Sequence, residues 1–214
     1  MIAADIAGFA ASAPLAAGYR FELLTRAEVR PLIAGLSEWH SDISVGGASC
    51  YLQEQYYARK VFFADAQEQE SVVLTLKHRA DLVGVFSCTL DLTTQSIYAG
   101  LGAAAPKHRG ANLAHAGMTF VEAVARHLGM GFIFGMATLK HPYVQRACER
   151  AGWQLIGIAP GYDRELVAPG VVKRVYEAIY AKVLEPDGGL LPPQPQNLTP
   201  QTQALFDSIF RCQP

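Results

Sequence analysis

Residues Ile97 to Gly129, IYAGLGAAAPKHRGANLAHAGMTFVEAVARHLG, read as an apolar strand, a short basic turn and a helix. Leu113, Gly117, Phe120, Val121, Val124 and Leu128 recur at helical spacing while His115, Glu122 and Arg126 fall on the other side, so Ala111 to Leu128 reads as a packed amphipathic helix. Gly129 ends it, since glycine accepts the left-handed backbone that follows a helix. At the other end, Lys107-His108-Arg109-Gly110-Ala111-Asn112-Leu113-Ala114 combines small residues with local positive charge. The first amides of a helix lack internal partners and its dipole places roughly half a positive charge there, so this turn is suited to holding a phosphate. The same spacing also serves an ordinary strand-to-helix connection.

A resemblance separates the two. Pro106 to Ala114 resembles the acyl-CoA pyrophosphate loop of the GNAT superfamily of N-acetyltransferases, Pro-x-x-Arg/Gln-x-x-Gly-x-Gly/Ala: Arg109 and Ala114 match, and Asn112 replaces the middle glycine. Asn is the next most tolerant residue of a left-handed backbone. Downstream, His141 to Trp153, HPYVQRACERAGW, is similar to the family's Asn-x-x-Ala-x-x-x-Tyr-x-x-x-Gly-Phe, with His141 for the Asn, Cys148 for the Tyr, and Gly152-Trp153 for the Gly-Phe. The resemblance implies an α/β (α+β) fold whose mixed, mainly antiparallel sheet is flanked by helices and splayed at its fourth and fifth strands. It implies acetyl-CoA, or another acyl-CoA, held by Gly102, Ala104, Arg109, Gly110, Ala111, Asn112, Leu113, Ala114 and His141. The implied reaction is direct attack of an amine, on a small molecule or a peptide, on the thioester.

Bulk properties are consistent with this. The chain has 214 residues, half of them hydrophobic, enough to bury one sizeable core. A net charge of -1 gives no global field for nucleic acid, so a polyanionic ligand must be met locally by Lys107, His108 and Arg109. Cys50, Cys88, Cys148 and Cys212 are scattered, without metal-ligand spacing, and read as reduced thiols of a cytoplasmic protein with no structural metal. The first basic residue is Arg20, so the Ala-rich start lacks the charged region of a signal peptide. No apolar run reaches membrane-spanning length.

In chain order, residues 1–18 read as a loosely held arm and 19–184 as the acyltransferase-like domain. Tyr19 to Leu24 is a strand. Thr25 and Glu28 form a capping-box signature for a helix to about Trp39, and Cys50 to Ala64 reads as a second helix. Ser71 to Lys77, Leu82 to Asp91, Thr94 to Ala104, Phe132 to Thr138, Gln154 to Ala159 and Lys173 to Val183 read as strands, with a helix over Pro142 to Ala151. Residues 185–214 begin Pro/Gly-rich. Thr199-Pro200 then starts a short helix whose Leu205, Phe206, Ile209 and Phe210 should dock on the domain itself or on a second subunit of a homodimer.

The chemistry sets its own demands. A free alkylamine has a pKa of about 10.4, so it must lose a proton before it attacks. Many family members place a carboxylate on the fourth strand, but Tyr98-Ala99-Gly100-Leu101-Gly102-Ala103 has none, which leaves His40 and Glu38 as candidate bases. Cys148 is either a proton donor to the departing thiolate or inert packing. Backbone amides near Gly102 and Ala103 would polarise the carbonyl. Asp42, Tyr51, Tyr56, Tyr57 and Tyr98 are the candidate acceptor contacts, and the tyrosines suggest an aromatic or lipid-like acceptor. A non-catalytic acyl-CoA or small-molecule sensor of the same fold is the alternative function. A nucleotide-binding α/β enzyme is disfavoured, because the chain lacks G-x-G-x-x-G after its first strand and a Lys-Ser/Thr phosphate loop.

Overall fold

The structure is a computed structural model and describes residues 2–63, 69–186 and 188–211. Ala64 and Cys212, the expected end of the second helix and the fourth thiol, lie outside the described residues. The chain runs α1 (Ile2–Ala11), β1 (Tyr19–Leu23), α2 (Val29–Trp39), α3 (Glu54–Lys60), β2 (Ser71–His78), β3 (Asp81–Asp91) and β4 (Ser96–Ala104). Then follow α4 (Leu113–His127), β5 (Phe132–Thr138), α5 (Tyr143–Arg150), β6 (Gln154–Ala168), β7 (Val171–Val183) and α6 (Pro200–Phe206). The seven strands form one sheet in the order β1-β2-β3-β4-β5-β7-β6. Only β4 and β5 run parallel, because α4 carries the chain back between them; every other pair is antiparallel.

That parallel pair parts along its length. Pairing runs from Ser96 against Phe132 to Ala99 against Gly135 and stops. Beyond it β4 stays with β3 and β5 stays with β7, so the two strands splay as expected. The turning point is a bulge, where Gly100 and Leu101 of β4 stand against Ser87 of β3. The Ser87 hydroxyl accepts from the Leu101 amide at 2.8 Å and lies 2.7 Å from the Tyr51 hydroxyl, so the backbone group released by the bulge stays paired.

Strand alternation separates two cores. Leu74, Leu76, Phe86, Ile97 and Ile133 face α1, α4 and α5 with Phe120, Val121 and Trp153. Val73, Val85 and Ala103 face the opposite side, under Leu32, Leu36 and Tyr57 of α2 and α3. The helical segment after β1, a 3₁₀ turn over Arg26–Glu28 that runs into α2, starts at the expected box: the Thr25 amide and hydroxyl donate to Glu28 Oε2 at 3.0 and 2.8 Å.

Three expectations change. The stretch read as a loose arm forms α1, whose Ile6 and Ala10 are buried in the first core; its alanine-rich composition hid two residues at helical spacing. The second helix is broken, with a 3₁₀ turn over Gly47–Leu52 before α3, since Gly46 at φ 81° and Gly47 lead into it. The sixth strand runs on to Ala168, because Pro160-Gly161, which reads as a stop, is absorbed in a bulge with Gly161 at φ +70°. Among the described residues no helix is long and apolar enough to cross a membrane.

Helix α4 sits so close to β3 that a Cβ on Gly117 would lie 2.2 Å from the Phe86 ring. Gly117→Ala gains about 1 kcal/mol of helix propensity but must move a buried ring at an overpacking cost of 1 to 3 kcal/mol, roughly. The expected outcome is a net loss of stability in urea denaturation; a gain would show that the contact relaxes freely.

Candidate active site

At the open end of the splay, the chain leaves β4 through a 3₁₀ turn over Pro106–His108 and enters α4. Gly110 at φ +95° and Asn112 at φ 63° turn the backbone, so the replacement of the middle glycine preserves the left-handed geometry. No described atom lies within 4 Å of where a Gly110 side chain would begin. Among the described residues the amides of Gly110, Asn112, Leu113 and Ala114 find no acceptor, and Ala111 backs them from a buried position. The donors, the helix dipole and the open approach fit an anion such as a pyrophosphate.

The turn is pinned from the side. Tyr19 Oη lies 3.0 Å from His108 Nδ1, and Asn112 Nδ2 donates to the Pro14 carbonyl at 3.2 Å. Arg109 Nη2 donates to the Trp39 carbonyl at 3.1 Å, where the dipole at the end of α2 favours a cation. His40 follows directly. Burial and the Arg109 charge hold its imidazole below the ordinary histidine range, opposed by Asp42 and the Ala104 carbonyl, with a smaller downward push from His141. Its Nε2 is buried and, among the described residues, has no hydrogen-bond partner. Five residues singled out in sequence, His40, Asp42, Ala104, Arg109 and His141, thus gather at one mouth.

The second half of the site is a face of the sheet. Tyr98, Phe134, Ala181 and Gln154 lie in one register row, Met136 and Ile179 in the next, and Thr138 and Glu177 beyond. Tyr98 and Phe134 pack with ring centroids 5.2 Å apart. Glu177 is 7% exposed, and among the described residues it has no hydrogen-bond or ion-pair partner. Burial, then the charges of Glu165 and Asp163, push its carboxyl from 4.5 up to about 7, against a smaller opposing pull from Lys140.

The turn after α2 closes over this face. Asp163 Oδ1 accepts from the amides of Gly47 and Arg164 at 2.8 and 2.7 Å. A side chain on Gly46 would start 2.1 Å from the Arg164 carbonyl oxygen, so only glycine lets the turn seat on β6. Lys140, just past β5, bridges Asp42 at 3.2 Å to Glu165. Partial burial lowers its ammonium, but the two carboxylates outweigh that and hold it above the ordinary lysine range.

Other candidates lie elsewhere. Cys148 is 1% exposed in the first core, where burial raises its thiol to about 12. Glu38 is exposed on α2. Tyr51 is buried under the bulge, Tyr57 donates to the Tyr51 carbonyl at 2.8 Å and Tyr56 to Ser71 Oγ at 3.2 Å, so these hydroxyls are committed within the fold. Sequence reasoning missed Glu177, Glu165, Asp163, Lys140 and Ser87. One signal was available: in the alternating run Val175, Glu177, Ile179, a carboxylate occupies a position reserved for buried side chains.

No family model and no curated protein matches the sequence. Solved structures do match its fold. Spermidine N-acetyltransferase from Vibrio cholerae, in complex with CoA and spermine, aligns with a TM-score of 0.59 at 12% identity, over 79% of this chain and 97% of that one. The microcin C7 self-immunity acetyltransferase MccE, in complex with acetyl-CoA and AMP, gives 0.57 at 11%, over 78% and 93%. RimL, a ribosomal-protein α-N-acetyltransferase, in complex with coenzyme A gives 0.59 at 9%, over 80% and 97%. The architecture is therefore the GNAT fold.

The raised Glu177 carboxyl has a stability signature. Its folded value exceeds its unfolded value, so its contribution is complete below about pH 4.5 and is lost as pH rises through about 7. Glu177→Gln, which mimics the protonated form, should therefore melt a few degrees above the wild type at about pH 8 and show little gain at about pH 4.5. Equal gains at both pH values in circular-dichroism melts would mean that Glu177 is not a strained carboxylate.

Proposed function

We propose that the chain is an acyl-CoA-dependent N-acetyltransferase that transfers an acetyl group from acetyl-CoA to a primary amine, with Glu177 as the base. The observation that carries this reading is the pairing of two features across the splay: left-handed-turn amides at the start of α4 and a buried carboxyl with a pKa raised to about 7 on the adjoining sheet face, both without partners among the described residues. The solved structures of the same fold support it, since their bound molecules include acetyl-CoA, CoA and an amine.

When bound, acetyl-CoA supplies an activated acyl group on a thiolate of pKa about 8.5 that departs readily. The protein's part is to bind, orient and deprotonate. The amides of Gly110, Asn112, Leu113 and Ala114 meet the pyrophosphate, with Gly110 leaving room for it. Past the bulge, β4 has no strand partner on its β5 side among the described residues, and its Gly102 region offers backbone donors to the carbonyl. Glu177 attracts the acceptor as an ammonium and takes one of its protons, for which a value of about 7 is well matched at neutral pH.

This assignment replaces the sequence-based bases. Glu38 stands in solvent, and His40 sits at the cofactor mouth, where a neutral imidazole can orient but holds a proton weakly. Cys148 is assigned to packing, because a thiol at about 12 in the core is a poor proton donor and the departing thiolate needs little help. The acceptor face is lined by Tyr98, Phe134 and Glu177, in place of Tyr51 and Tyr56.

The test is calorimetric titration with acetyl-CoA and CoA, followed by thiol release with a panel of primary amines. Micromolar binding is expected for the wild type and for Glu177→Gln, and loss of binding for Arg109→Glu combined with Gly110→Pro. Turnover by Glu177→Gln should fall on the order of a hundredfold or more. Absence of binding by the wild type would overturn the reading.

A further inference from the structure

Four carboxylates and one ammonium face the acceptor side of the splay: Asp42 from the turn after α2, Asp163 and Glu165 from β6, Glu177 from β7, and Lys140 from the turn after β5. They are unequally occupied. Asp163 is spent on two backbone amides, those of Gly47 and Arg164. Asp42 and Glu165 share the Lys140 ammonium. Glu177, 7% exposed and facing this group, alone has no partner among the described residues.

We infer that Lys140 sets acceptor specificity: its ammonium is the resident cation of the outer acidic subsite, so the pocket takes amines with a single amino group on an uncharged body. This rests on the N-acetyltransferase reading above. A monoamine places its ammonium at Glu177 and meets no second charge. A diamine must bring its distal ammonium toward Asp42 and Glu165, where Lys140 already satisfies both. The lysine is tethered to the same chain, so it competes at an effective concentration no free amine matches. Its ammonium also repels the incoming one.

The rest of the face agrees with an uncharged body. Between Glu177 and Tyr98 the rows present Met136, Ile179 and Phe134, half-buried and apolar, with the Tyr98 and Phe134 rings 5.2 Å apart. An alkyl or aryl group laid along this floor is removed from water without stranding a polar atom. Lys140 touches none of the reacting atoms; it acts by filling a charge site.

The test compares hexylamine with hexamethylenediamine, amines of matched length that differ by one ammonium. Both are titrated calorimetrically into the CoA-bound protein and both are assayed for thiol release, in the wild type, Lys140→Met and Lys140→Arg. The wild type is expected to prefer hexylamine. Lys140→Met should shift the ratio of the two affinities, and of kcat/KM, about tenfold toward the diamine, because Asp42 and Glu165 are freed. Lys140→Arg should keep the wild-type ratio. The pH midpoint of kcat/KM should rise in Lys140→Met, since the cation that opposes protonation of Glu177 is gone while Glu165, Asp163 and Asp42 remain. A ratio unchanged in Lys140→Met, or no measurable binding of either amine to any form, overturns the inference. A shifted binding ratio without turnover in any form would retain the charge-site role and overturn the enzymatic reading alone.

Discussion

The hydroxyl of Ser87 is the pivot of the molecule. A parallel pair of strands at the centre of a sheet would ordinarily remain paired, since each released amide or carbonyl costs about as much as a lost hydrogen bond. Here the cost is met inside the fold. Ser87 accepts from the Leu101 amide and donates to its carbonyl at 3.3 Å, while Tyr51 supports the serine from below. The bulge turns β4 away from β5, and the candidate site follows from that divergence, with the left-handed turn before α4 at one end and a sheet face at the other.

The same divergence explains the electrostatics. A carboxylate placed 7% exposed beside two other carboxylates is a poor choice for stability. Nothing in the core requires it; Val175 and Ile179 flank it on the same face, and a third aliphatic residue would pack there. Elsewhere the chain answers charges removed from open solvent with partners, as where the buried Lys77 of β2 contacts Glu28 and the half-buried Lys182 of β7 reaches Glu122 of α4 at 2.7 Å. Among the described residues Glu177 is left without such a partner, on the face that the splay exposes. A carboxylate held uncomfortably among like charges on an open face is a mark of function more than of architecture.

Sequence reasoning reached the individual elements through residues whose constraint is local, and the sheet topology through the resemblance that two motifs carry. The α4 stripe, the capping box at Thr25 and the strand Phe132–Thr138 follow from spacing and backbone preference, the left-handed Asn112 from the resemblance to the family's loop, and all are present. It singled out His40, Asp42, Arg109 and His141, which lie in or beside turns next to recognisable motifs and which the fold brings near one another. It failed on the sheet face. Glu177, Glu165 and Lys140 come from three separate stretches, and only strand order and register make them neighbours. The tyrosines misled for a related reason: Tyr51, Tyr56 and Tyr57 form a cluster along the chain, but their rings pack with one another, with centroids 4.9 and 5.6 Å apart, and hold α3 to the sheet.

The departures from the family pattern then acquire a common explanation. A sheet face is a two-dimensional surface, and a carboxylate needed above the cleft can stand on any strand whose register row reaches it. The fourth strand lacks one, and the row of Thr138 brings Glu177 from β7 to the same face as Tyr98, which is where the proposed base stands. The backbone requirement at the start of α4 is likewise one of conformation, so Asn112 serves in place of glycine. What the fold fixes is the divergence of two strands and the dihedral angles of one turn. The identity of the residue that meets each chemical demand is free to move wherever the geometry brings a side chain within reach, and a motif read along the chain cannot follow it there.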